Sequence, residues 1–107
     1  MIYKFKSKAA GDVIMTGPVG DEVLRVIGKK PAATGIIEVG DMPAAIAAIE
    51  RAVADDEAAR ARAEQDAAAE GRKLAPREGV SLRQRAWPLI EAMKRSMPER
   101  ADIVWGV

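Results

Sequence analysis

Between Ala54 and Lys73 the chain runs for 20 residues without one apolar side chain larger than alanine. Eight of the 20 are alanine, six acidic and four basic. A helix docks on a core through an apolar stripe at i, i+3, i+4 and i+7, and this stretch has none. It is nonetheless rich in helix formers, and Asp56–Arg60, Arg60–Glu64 and Arg62–Asp66 are i,i+4 pairs of opposite charge. Each pair is worth only about 0.2–0.5 kcal/mol. Residues 54–79 are therefore expected to be a solvated helical extension fraying towards Gly71, or a largely disordered excursion, with Arg72–Gly79 continuing as a loop through Pro76 and Gly79. The core must come from the rest of a chain of 107 residues. That is enough for a single domain spanning 1–107 and too little for two.

On either side of the excursion the patterning is regular. In Ile2–Lys6, Tyr3 and Phe5 alternate with Lys4 and Lys6, the period of a strand with one wet face. A Gly11-containing loop leads to a second β-rich run, Asp12–Thr16, so the two form a hairpin. Gly17-Pro18 opens a helix, with Val19, Val23, Val26 and Ile27 as its stripe, Leu24 beside it, and Gly28 as its stop. Ile36–Val39 is a short extended piece. Asp41 caps a second helix whose stripe is Met42, Ile46, Ile49 and Val53, helped by Ala45 and Ala52. Ser81-Leu82-Arg83-Gln84 is a capping box opening a third helix, with Leu82, Ala86, Leu89, Ile90, Met93 and Met97 on one face and Pro88 as a kink. Ala101–Val107 reads as a terminal strand, Ile103, Trp105 and Val107 sharing a face. The expected fold is α+β: a small antiparallel or mixed sheet, made of the N-terminal hairpin and the C-terminal strand, covered by three helices.

These residues resemble a known family. The run from Ile2 to Met15, Gly35-Ile36-Ile37, Met42–Ile46, Arg85-Ala86-Trp87-Pro88-Leu89 and Ala101–Val107 are similar to a small proteobacterial family, the domain-of-unknown-function family eighteen-forty. The resemblance spans nearly the whole chain except the alanine-rich stretch. It implies a stand-alone bacterial protein and supplies no activity, ligand or catalytic residue.

Composition narrows the chemistry. The chain has no cysteine and no histidine, which removes disulfides, thiolate and imidazole metal sites, cysteine nucleophiles and Ser-His-Asp triads. The hydroxyls of Ser7, Ser81, Ser96, Thr16, Thr34 and Tyr3 have no recognisable base beside them. No enzyme, no metal and no cofactor is expected. The N-terminal segment lacks a signal-peptide pattern and no apolar run could cross a bilayer, so a soluble, cytoplasmic protein without a membrane partner is expected.

The net charge is +1, distributed as +3 over residues 1–30, −6 over 31–71 and +5 over 72–100, with Asp102 beyond. Gly17-Pro18-Val19-Gly20 has the outline of a phosphate loop, but Pro18 has no amide to donate and Asp21 and Glu22 put negative charge where a phosphate would sit. Asp55-Asp56-Glu57 point about 100° apart on a helix and do not converge on an ion. Trp87 lies about 100° from the centre of its helix face, near Arg83 at i−4 and Lys94 at i+7. An aromatic flanked by cations suits a protein contact, with a partner or a second copy; alternatively Trp87 covers the sheet rim with Arg83 stacked on it. The leading expectation is a protein-interaction or structural module, with Trp87, Arg83 and Lys94 as its contact. The alternative is nucleic-acid binding through Lys4, Lys6 and Lys8 of the first strand and its turn together with Arg85 and Arg95 of the third helix.

Overall fold

A computed structural model describes residues 2–76 and 79–107. Met1, and Arg77 and Glu78 of the expected connector, lie outside the described residues. The strands are β1 (Ile2–Ser7), β2 (Ala10–Thr16), β3 (Gly35–Ile37) and β4 (Ile103–Trp105); the helices are α1 (Gly17–Val26), α2 (Met42–Ala69) and α3 (Leu82–Ser96). The sheet order is β2-β1-β4-β3 and every pairing is antiparallel. The fold is α+β, as expected, and the sheet is antiparallel rather than mixed.

Alternation decides which face of the sheet is covered. Tyr3 and Phe5 of β1, Val13 and Met15 of β2, Ile37 of β3, and Ile103 and Trp105 of β4 are buried beneath the helices. The intervening residues, among them Lys4, Lys6, Ile14 and Ile36, leave the opposite face exposed. The helical stripes close the core: Val23 and Leu24 from α1, Met42, Ile46, Ile49 and Val53 from α2, and Leu82, Ala86, Leu89, Ile90 and Met93 from α3. Leu24, set beside the α1 stripe by periodicity, is the more deeply placed residue, fully buried where Val19, Val26 and Ile27 are half-buried.

Not all the expected ends are in place. Asp41 stands at the N-cap of α2, but its backbone is already helical and its side chain makes no capping hydrogen bond. Gly11, expected in the hairpin loop, lies within β2. Ser81 Oγ accepts from the Gln84 amide (3.3 Å) and Gln84 Oε1 accepts from the Ser81 amide (3.3 Å), completing the capping box. Pro18 occupies the first turn of α1. Val107, however, does not share the buried face of Ile103 and Trp105. The last strand stops at Trp105, Gly106 takes a left-handed φ of 75°, and Val107 is exposed.

Residues 54–69 continue α2 without a break, giving a helix of 28 residues, about 42 Å long. Of the two forms expected for this stretch, the structure has the helical one. The arm lengthens the molecule to 52 × 28 × 22 Å.

Candidate interaction surface

The Trp87 surface is built by two antiparallel helices. Val53 on α2 and Ile90 on α3 belong to the core stripes, and Glu50, Arg83 and Trp87 flank them on the outward side. Together these five residues line a 260 Å³ groove between the helices. The Trp87 indole stands at its edge, 48% exposed, with Lys94 Nζ 5.6 Å from the ring centroid. That separation is a cation–π contact. Trp87 therefore borders α2 and not the sheet rim, and the cation over its ring is Lys94 and not Arg83.

Arg83 is engaged elsewhere. Its Nε and Nη2 donate to the two carboxylate oxygens of Glu57 on α2, at 3.1 and 2.7 Å. The carboxylate takes the in-plane edge of the guanidinium that carries Nε and Nη2. The pair also holds the guanidinium protonated more firmly than usual. It tethers the start of α3 to the point where α2 leaves the core.

The basic residues of the sheet and of α3 are separated by the fold. Lys4 and Lys6 project from the open face of β1, and Lys8 sits in the turn beyond it. Lys4 pairs with Asp12 at 3.7 Å, and Lys6 Nζ donates to the Val107 carbonyl at 3.2 Å. Arg85 lies in the helical layer, where Nη1 meets Glu22 of α1 at 3.3 Å and Nε donates to the Val80 carbonyl at 2.7 Å. Arg95 is exposed on the last turn of α3. The structure thus brings Lys4, Lys6 and Lys8 together and sets Arg85 in the layer behind the sheet.

The remaining motifs have structural roles. The Gly17-Pro18-Val19-Gly20 run is the first turn of α1 and not a loop; its Gly20 faces the Tyr3 ring, and Asp21 accepts a hydrogen bond from the Tyr3 hydroxyl. Glu57 of the acidic run holds Arg83, and no group of three histidine, cysteine or acidic side chains among the described residues is placed to hold a metal. No described helix is long and apolar enough to cross a membrane.

Two contributions escape a linear reading. Glu50 reaches the Trp87 groove only because α2 runs antiparallel to α3. Arg100 lies just beyond α3, and its left-handed φ of 51° has no counterpart in any residue pattern around it.

The architecture defines a small α+β protein in which one face of a four-stranded antiparallel sheet carries three helices. Residues 1–105 match the family described as Domain of unknown function (DUF1840), and the chain belongs to that family. No curated protein and no solved structure matches the chain.

Proposed function

We propose that this protein is a cytoplasmic, non-enzymatic interaction module whose contact surface is the Trp87 groove, and that the groove takes a second copy of the chain. The observation that carries the reading is a tryptophan 48% exposed beside a groove with an apolar floor of Val53 and Ile90. Exposed indoles next to partly desolvated slots are the usual anchors of protein interfaces. Two-fold contacts need a patch that complements itself. Here Glu50 lines one wall and Lys94 covers the indole on the other. A two-fold axis through the groove sets Lys94 of each copy towards Glu50 of the other and inserts each indole beside its mate. The hydroxyls of Tyr3, Ser7, Ser81 and Ser96 all serve structural hydrogen bonds, which supports the non-enzymatic part of the reading.

Sedimentation velocity over a concentration series tests this. Wild type is expected to form dimers and Trp87→Ala to remain monomeric, with the two melting alike at concentrations where both are monomeric. Glu50→Lys should weaken the dimer and the double variant Glu50→Lys/Lys94→Glu should restore it. A chain monomeric at every concentration, a dimer that survives Trp87→Ala, or a groove occupied only by a different protein overturns the proposal.

A further inference from the structure

The three helices end in the same way, and one ending breaks the pattern. After α1, Lys29 N–H donates to the Leu24 carbonyl (2.8 Å) and Gly28 N–H to that of Arg25 (3.0 Å). After α2, Arg72 N–H donates to Ala67 (2.7 Å) and Gly71 N–H to Ala68 (3.0 Å). After α3, Ala101 N–H donates to Ser96 (3.0 Å) and Arg100 N–H to Met97 (3.1 Å). Each is a Schellman closure, whose penultimate residue must be left-handed. Gly28 and Gly71 fill that position at φ 84° and 71°, whereas at α3 it is Arg100, at φ 51°. A side chain in this conformation costs about 1 kcal/mol relative to glycine. A cation near a helix C-terminus recovers part of that. It does not require the left-handed position itself, and α3 already carries Lys94 and Arg95 in its last turn.

Arg100 lines a 580 Å³ cavity on the uncovered face of the sheet, within the size range of small-molecule sites. Its floor is a row across three strands. Lys6 of β1 faces Val104 of β4, which faces Ile36 of β3. Lys8 and Arg100 line the same cavity. The two carboxylates of the cavity are committed: Asp12 pairs with Lys4, and Asp102 Oδ1 accepts from the Val39 amide at 2.9 Å. Among the described residues neither Lys8 nor Arg100 has an ion-pair or side-chain hydrogen-bond partner. Glu99 lines not this cavity but the adjoining one, together with Lys8 and Arg100.

We propose that this cavity binds a phosphate monoester, with Arg100, Lys8 and Lys6 holding the phosphate and Val104 and Ile36 packing against the organic part. A guanidinium fork matches the phosphate oxygens bidentately, the two ammonium groups bring the facing positive charge to three against the two of a dianion, and the aliphatic row supplies the apolar surface. The left-handed Arg100 backbone fixes the direction in which its side chain leaves the main chain.

Calorimetric titration at low salt with AMP, inorganic phosphate, sulfate and a single-stranded oligoribonucleotide tests the site. Saturable AMP binding is expected, with phosphate weaker because it lacks the organic part. Arg100→Gly separates the role from folding: its melting temperature should equal or exceed that of wild type while AMP affinity falls tenfold or more. That is the loss expected for one charge-assisted bidentate contact. Lys8→Ala should weaken binding too, and Arg95→Ala, on the helical layer, should leave it unchanged. Absence of saturable binding, equal affinity for AMP and sulfate, Arg100→Gly binding as wild type, or binding confined to single-stranded RNA overturns the proposal.

Discussion

The Tyr3 ring occupies the space that a side chain at position 20 would need: a Cβ on Gly20 would lie 2.0 Å from Tyr3 Cδ2. Strand β1 can therefore approach α1 closely only where the helix has no side chain. Gly20→Ala should improve helix propensity by up to about 1 kcal/mol. The ring is fully buried and cannot swing into solvent. The variant should accordingly be less stable overall, by about 1–3 kcal/mol, the usual cost of overpacking. Gly11→Ala, whose Cβ meets nothing within 4 Å, is the control and should change little. Urea melts of both variants provide the comparison, and a Gly20→Ala protein as stable as wild type would contradict this account of the packing.

The same tyrosine gives the fold an alkaline limit. Its hydroxyl donates to Asp21; that bond, burial of the ring and the nearby carboxylate charge all raise the phenol pKa above its ordinary value, against a smaller opposing effect from Arg25. A pKa raised in the folded state means that the contribution is complete below the unfolded phenol's pKa of about 10 and is lost as pH rises through the folded value. Wild-type stability should therefore have no Tyr3-dependent slope near neutrality and should decline above pH ~10. Tyr3→Phe should cost about 1 kcal/mol at neutral pH, and the gap between the two proteins should narrow in strong alkali. Paired urea melts across that range check the sign. A gap that widens there would show the phenolate to be tolerated.

Much of this fold was legible because its signals are local. The Tyr3/Phe5 alternation, the Ser81–Gln84 capping box and the Met42–Val53 stripe each need only a few neighbouring residues, and each appears where periodicity puts it. What was not legible depends on residues far apart in the chain. β4 enters between β1 and β3, so the sheet order rests on pairings such as Lys6 with Val104. Helical spacing gives the angle of Trp87 on α3 but not that α2 runs beside it. Glu57 then takes Arg83 and leaves the indole to Lys94. Lys4, Lys6 and Lys8 and the α3 pair Arg85 and Arg95 are two basic groups far apart in the linear sequence, and the fold does not join them: β1 turns Lys4 and Lys6 to one side while Glu22 draws Arg85 to the other. Alternation alone could not place Val107, since it continues only as far as the backbone remains extended.

Ser96 is the buried polar residue of α3, and its hydroxyl donates to the Ala92 carbonyl at 2.6 Å. Having given its proton to Ala92, it must accept from Ser7 Oγ, 2.7 Å away, and Ser7 in turn accepts from the Ala9 amide at 3.2 Å. This chain ties the hairpin turn to the last turn of α3. Ser7→Ala and Ser96→Ala should each cost about 1 kcal/mol. The double variant should cost less than their sum, because both remove the same bond. Additive losses in thermal melts would mean that the two hydroxyls stabilise the fold independently.

The arm should contribute little to the stability of the body. Among the described residues of 54–69, Ala67 alone is buried, near the point where the chain turns back at Gly71. Arg60–Glu64 at 3.1 Å is an exposed i,i+4 pair of small worth. The Glu57–Arg83 bridge makes the excursion a closed loop: its ends meet at the base, so the segment between can be shortened without stretching the chain. Replacing residues 59–79 by a short glycine-serine linker should leave the melting temperature of the body nearly unchanged and shorten the longest dimension in solution scattering. In the intact protein, amides of 58–69 should exchange faster than those of 45–53, whose side chains enter the core. Slow exchange along the arm, or a deletion that unfolds the body, would mean that the alanine face is packed against another surface in solution. The exchange pattern measured at concentrations where the chain is monomeric and where it is dimeric would then show whether that surface belongs to a second copy.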